Sequence, residues 1–148
     1  MLKKQKDMIK IKTAQTTEDF LKCLEAMQAL RPHLTTELFL DLTEKMKAER
    51  YSLIYIDEGE KAIAVCGFRY QTNLFEGRHI YIDDLSTLPE ARGKGYAGAL
   101  FDYVVELAKA AGLPAVHLDS GYQRHDAHRL YLNKKMKIVF HHFRLELK

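Results

Sequence analysis

The residues best suited to chemistry lie in one short stretch, Ala91-Arg92-Gly93-Lys94-Gly95-Tyr96-Ala97-Gly98. Gly93 and Gly95 can adopt φ > 0 and turn consecutive N–H groups toward one anion, while Arg92 and Lys94 add positive charge beside them. A helix starting there adds its dipole, worth about 0.3–1 kcal/mol per anionic contact. The stretch is suited to holding phosphate. Gly93 to Gly98 also satisfies G-x-G-x-x-G, with Asp119 about twenty residues on, where a dinucleotide loop has its ribose partner. Its surroundings do not suit a dinucleotide. Leu88-Pro89-Glu90-Ala91-Arg92 separates the preceding strand from Gly93, only 29 residues follow Asp119, and the segments before the loop look antiparallel. The expected ligand is an extended phosphate chain other than NAD.

The elements that must position this loop follow from hydrophobic periodicity. "MIKIKTA" (8–14) reads as a β run. "TTEDFLKCLEAMQAL" predicts a helix opened by Thr16 or Thr17, with Phe20, Leu24, Met27 and Leu30 on its apolar face and Pro32 ending it. "TTELFLDLTEKMKAE" predicts a second helix with Leu38, Leu42 and Met46 inward. Three β runs, "YSLIYI", "KAIAVCGFRYQ" and "RHIYIDDLST", are joined by connections short enough for antiparallel hairpins. A long helix over Tyr96 to Ala111 follows, with Leu100, Tyr103, Val104 and Leu107 inward and Gly112 and Pro114 ending it. "AVHLD" then predicts a strand, "HDAHRLYLNKK" a short helix and "KIVFHHFRLEL" (137–147) a final strand.

At 148 residues the chain is expected to form one domain over 1–148, with the lysine-rich residues 1–7 a basic tail. A net charge of +3, with the lysines dispersed, argues against a nucleic-acid partner. There is no run of eighteen apolar residues and no apolar stretch near the N-terminus of the kind a signal peptide needs, so no membrane partner and a cytoplasmic location are expected. Cys23 and Cys66 read as reduced core thiols. His125 and His128, and the pair His141-His142, have no Cys or carboxylate at ligand spacing, so no metal is expected. Asp119-Ser120-Gly121 lacks the G-x-S-x-G elbow of a hydrolase.

Arg92-Gly93-Lys94-Gly95-Tyr96-Ala97 resembles motif A of the GNAT superfamily of acyl-CoA-dependent N-acyltransferases: Arg or Gln, two residues, Gly, one residue, then Gly or Ala. The order of elements over residues 8 to 147 resembles the family too. So does "AHRLY", in which Ala127 is followed four places later by Tyr131 on the short helix. The chain departs from the family pattern at two places. Arg124 stands where an asparagine is usual, and Lys135-Met136 where the family has Gly-Phe; after Lys137 there is room for little more than one strand instead of two.

The resemblance implies an α/β (α+β) domain. Its mixed, mostly antiparallel sheet of about six strands is flanked by four helices, and acyl-CoA lies in a cleft where strands 4 and 5 splay apart. Backbone groups of Leu85, Ser86 and Thr87 would pair with the pantetheine, and the amides of Arg92, Gly93, Lys94, Gly95, Tyr96, Ala97 and Gly98 would hold the pyrophosphate. Arg124 would sit beside the cofactor in place of the asparagine. The implied activity is transfer of acetyl from acetyl-CoA to the primary amine of a small molecule or peptide. Tyr131 takes the family's general-acid position. Asp83 and Asp84 are the carboxylates expected to attract the amine and order a water chain. On a regular strand they face opposite sides, so Asp83, sharing parity with Tyr81 and Thr87, is expected in the cleft unless a bulge intervenes. Arg31, His33 and Tyr81 are placed by the resemblance at the acceptor site. A non-catalytic acyl-CoA sensor is the alternative, to which Arg124 lends weight; the missing final strand leaves room for a homodimer whose second subunit lends one.

Overall fold

A computed structural model describes residues 9–148, so the basic tail expected over 1–7 and Met8 of the first β run lie outside the described residues. Thr16 starts helix α1 (Thr17–Leu30) with a capping box: its hydroxyl accepts from the Asp19 N–H and its own N–H donates to the Asp19 carboxylate, both at 3.1 Å. Thr35 caps helix α2 (Thr36–Ala48) the same way, accepting from the Leu38 N–H.

Helix α1 buries Phe20, Cys23, Ala26 and Met27, so Leu24 and Leu30, expected inward, are only half-buried. The face of α2 is displaced by one residue from expectation. Phe39 and Thr43 are buried, whereas Leu38 and Leu42 are exposed and Met46 is half-buried. The Thr43 hydroxyl donates to the Phe39 carbonyl at 2.8 Å, so threonine is buried with its polar group satisfied. The Phe39 ring packs on Phe20, centroids 6.3 Å apart, and this aromatic contact sets which stripe turns inward.

Strands β1 (Ile11–Thr13), β2 (Tyr51–Asp57), β3 (Ala62–Asn73), β4 (Gly77–Thr87) and β5 (Val116–Leu118) form one sheet in sequence order. β1 through β4 pair antiparallel in succession. Ala62 to Phe68 of β3 are buried without interruption, which requires cover on both faces of the sheet. Helix α1 packs on β3 and β4, and α2 on β2. Helix α3 (Tyr96–Ala110) packs on β3 and β4 through Leu100, Phe101, Val104 and Ala108. Tyr103, expected inward, is exposed, and Leu107 is half-buried. The result is an α+β fold with four helices and five strands among the described residues.

The chain divides into two compact units, the first ending at His117 and the second being Leu118–Lys148. In the second, helix α4 (His125–Asn133) is followed by residues that form neither helix nor strand. The strand expected over 137–147 is therefore corrected. Ile138, Val139, Phe140, Phe143, Leu145 and Leu147 are exposed. Alternation of apolar and polar residues is a necessary sign of a strand, but strand formation requires a neighbouring backbone, and that requirement is not written in the alternation.

Helix α4 ends in a Schellman motif: the Lys135 N–H donates to the Leu132 carbonyl and the Met136 N–H to the Tyr131 carbonyl, both at 3.0 Å. Lys135 sits at the left-handed position with φ 65, where the family has glycine. A side chain there is strained, so Lys135→Gly is expected to stabilise by roughly 0.5–1 kcal/mol, read as a rise of about 2 °C in Tm. An unchanged or lowered Tm contradicts this account of the motif.

Candidate active site

Strand β4 ends at Thr87, and a 3-10 turn, Pro89–Ala91, carries the chain to the glycine loop. Gly93 has φ 77 and Gly95 has φ 85, and a Cβ built at either would meet nothing within 4 Å. The backbone is thus left-handed twice within three residues and faces open space. Gly95 is the N-cap of α3, with no side-chain cap and no acid in the first turn. Helices α1 and α2 both have threonine caps and early acids. The first amides of α3 are thereby left to an acceptor from outside the helix, and the dipole favours an anion there. Arg92 Nε donates to the Thr87 carbonyl at 3.2 Å, tying the loop to the end of β4. Lys94 is exposed, and Tyr96, Ala97 and Gly98 are half-buried on the first turn. The Thr87 hydroxyl is buried without a hydrogen-bond partner among the described residues, an orphan that invites a ligand's polar group. Ser86 is buried and Leu85 half-buried beside it. These residues fit the diphosphate and pantetheine of a coenzyme A.

The acidic pair "DD" lies farther back on β4, and here the strand is irregular. Gly67 of β3 pairs with Asp84 and Phe68 with Ile82, so Asp83 is an extra residue, a β-bulge. Parity changes at the bulge. Tyr81 pairs with Arg69 and Asp84 with Gly67, which places Tyr81 and Asp84 on one face, while Thr87, paired with Ala64, lies on the other. The expected parity of Tyr81, Asp83 and Thr87 is corrected accordingly. Both carboxylates nevertheless find cations. Asp83 accepts a bidentate fork from Arg69 Nε and Nη2, both at 2.9 Å, and Arg69 Nη1 continues to Glu49 at 3.2 Å. Arg31, in the linker between α1 and α2, donates from Nε to Asp84 at 3.2 Å and from Nη2 to the Asp83 carbonyl at 3.1 Å. The Tyr51 hydroxyl donates to the other Asp84 oxygen at 3.0 Å. Burial pushes the Asp83 carboxyl up, with the Arg69 fork acting against it. Burial, reinforced by the charge of Asp84, lifts the Tyr51 phenol well above its usual range and keeps it a donor.

The GNAT acetyltransferase family model matches residues 14–136. This chain belongs to the GNAT family. An uncharacterised N-acetyltransferase of Bacillus subtilis (strain 168), YhdJ, is 37% identical over 128 residues, covering 86% of this chain and 90% of the relative. Among solved structures, an aminoglycoside acetyltransferase from an uncultured soil metagenomic sample, in complex with trehalose, shares the fold with a TM-score of 0.80. It is 13% identical, covering 96% of this chain and 98% of its own. A predicted acetyltransferase of Clostridium acetobutylicum, crystallised with acetyl-CoA, superposes with a TM-score of 0.71. It is 19% identical, covering 95% of this chain and 97% of its own.

In this GNAT chain the family's second motif falls in the second unit. Arg124 is the N-cap of α4, and Ala127 and Tyr131 lie on the helix at i, i+3 and i+7 from it, all half-buried on one stripe. His33 is exposed and Tyr81 half-buried. Among the described residues no group of three or more His, Cys, Asp or Glu could hold a metal ion, and no helix is long and apolar enough to cross a membrane. Both cysteines are buried; the Cys23 thiol is raised to about 12 by burial, with Asp19 adding to it, and burial raises Cys66 as well, so neither is a nucleophile at neutral pH. Arg69, Tyr51 and Gly67 escaped the sequence reading. A glycine in the middle of the apolar run "AVCGFRY" was the available signal, since glycine inside a strand marks a bulge or a close approach.

Proposed function

We propose that the protein is an N-acetyltransferase that moves an acetyl group from acetyl-CoA to a primary amine, by direct attack, in the cytoplasm. The observation that carries this is the uncapped start of α3, behind two left-handed glycines and next to the orphaned Thr87 hydroxyl. The cofactor supplies an activated thioester. In this reading the amides from Arg92 to Gly98 bind its diphosphate, Lys94 adds charge, and Leu85, Ser86 and Thr87 line up the pantetheine; Arg124 holds the sequence position of the family's asparagine. Arg31, His33 and Tyr81 border the acceptor.

Two proton problems remain for the side chains. A lysine-like amine of pKa about 10.4 is some 3.4 units above neutrality, so its nucleophilic form costs about 4.6 kcal/mol unless a group or water chain takes the proton. The carboxylates Asp83 and Asp84 are assigned to that end. Tyr131 is assigned to the other, donating a proton to the departing sulfur. Acetyl-CoA offered with a panel of small amines and peptide amines, read as free thiol released, is expected to show turnover. Binding of acetyl-CoA without turnover of any amine would replace this reading with that of an acyl-CoA sensor, the one that Arg124 favours.

A further inference from the structure

Three consecutive strands place one residue each on a diagonal line. Tyr51 on β2 pairs with Arg69 of β3, the next residue on that face of β3 is Gly67, and Gly67 pairs with Asp84 of β4. The Tyr51 side chain lies along this line. A Cβ at Gly67 would fall inside the phenol, against Oη, Cζ and Cε2. Gly67 is therefore a glycine for space, and the space is occupied by a phenol reaching across a whole strand to Asp84.

Asp84 differs from its neighbour in how it is held. Asp83 is enclosed by the fork of Arg69, whose third nitrogen is itself held by Glu49. Asp84 receives one nitrogen of Arg31 on Oδ1 and the neutral Tyr51 phenol on Oδ2. Among the described residues these two hydrogen bonds occupy two of the roughly four acceptor positions of the carboxylate. Arg31 from the linker and Tyr51 from the sheet touch it, Asp83 lies beside it and Arg69 stands over the Tyr51 ring, while Cys66, paired with Leu85, is on the opposite face of the sheet. Arg31 also holds the Asp83 carbonyl, which keeps the bulge, and so the direction of Asp84, in place.

We propose that Tyr51 is a positioning residue for the transfer reaction: laid across Gly67, its hydroxyl fixes Asp84 as the carboxylate that receives the acceptor's proton. No bond to Tyr51 is made or broken. The proton passes from the ammonium, directly or through one water, to one oxygen of Asp84, and the phenol holds the opposite oxygen throughout. This rests on the acetyltransferase reading above, and its test separates the two.

With the best amine found, Tyr51→Phe, Asp84→Asn and the double variant are compared by kcat and KM. Tyr51→Phe keeps the ring, and thus the packing, while removing the donor. The expected result is a fall in kcat of about tenfold with KM for acetyl-CoA unchanged. In the Asp84→Asn background the same substitution is expected to cost nothing further, since a residue acting only through Asp84 has nothing left to act on. Gly67→Ala, which expels the phenol sterically, is expected to reproduce the loss in whatever fraction folds. A kcat for Tyr51→Phe equal to wild type, or an equal fold-loss in both backgrounds, overturns the positioning role and leaves the acetyltransferase reading intact. Failure of wild type to acetylate any amine while binding acetyl-CoA overturns both.

Discussion

Replacing Gly95 by valine is expected to abolish the stabilisation of this protein by coenzyme A. A ligand that binds only the folded state at a hundred times its Kd adds about 2.7 kcal/mol, or a rise of roughly 8 °C for a chain of this size. Valine at Gly95 puts a branched side chain into the open space before α3 where the diphosphate is proposed to lie. It also forces φ 85 on a residue that resists it, at a cost of roughly 1–2 kcal/mol. The two effects separate with a second variant. Gly112, just beyond the other end of α3, has φ 67 and equally open surroundings. Gly112→Val is therefore expected to lower Tm by a similar amount and keep the full coenzyme A shift. Thermal melts of wild type and both variants, with coenzyme A, NAD and NADP at equal concentration, decide the matter. A full shift in Gly95→Val, or stabilisation of wild type by NAD alone, would remove the phosphate loop from its assigned place.

The conformation of this loop could be read directly from residues, because glycine is the residue that permits positive φ. The Thr16 cap and the order of the elements as far as α4 were legible for the same local reason. What depended on neighbours was not. The choice between Leu38–Leu42 and Phe39–Thr43 on α2 turns on a ring from another helix, and on a hydroxyl that satisfies itself on its own backbone. The fate of residues 137–147 depends on a pairing partner that alternation cannot specify. The bulge at Asp83 is the consequential case. Two adjacent aspartates were expected on opposite faces, and one inserted residue gives Asp84 the face of Tyr81 while turning Asp83 to Arg69. A bulge costs a ladder bond and is held here by Arg31, which is fifty-odd positions away in sequence. No local pattern announces such a contact, though Gly67 opposite the pair was a hint.

Tyr131→Phe is expected to lower kcat by a factor on the order of 10²–10⁴. The proposed task of Tyr131 is to give a proton to sulfur as the thioester breaks, an interaction made in the transition state and not in the bound ground state. Loss of such an interaction lowers kcat and leaves affinity alone. The coenzyme A melting shift and KM for acetyl-CoA should therefore match wild type. Phenylalanine keeps the ring on the half-buried stripe of α4, and the backbone carbonyl of residue 131 still accepts from Met136, so the helix end is preserved. The carboxylates supply the contrast. Asp84 is proposed to act at the amine end, so the loss in Asp84→Asn should shrink when the acceptor is a weaker base, whose proton is cheaper to remove, whereas the loss in Tyr131→Phe should not. Asp83→Asn breaks the fork of Arg69 and is expected to show chiefly as lowered Tm. Rates for the four proteins with two amines of different basicity, each across pH, test the assignment. Equal rates for Tyr131→Phe and wild type would take the acid role from this residue, and a loss in Tyr131→Phe that tracks amine basicity would move it to the other end of the reaction.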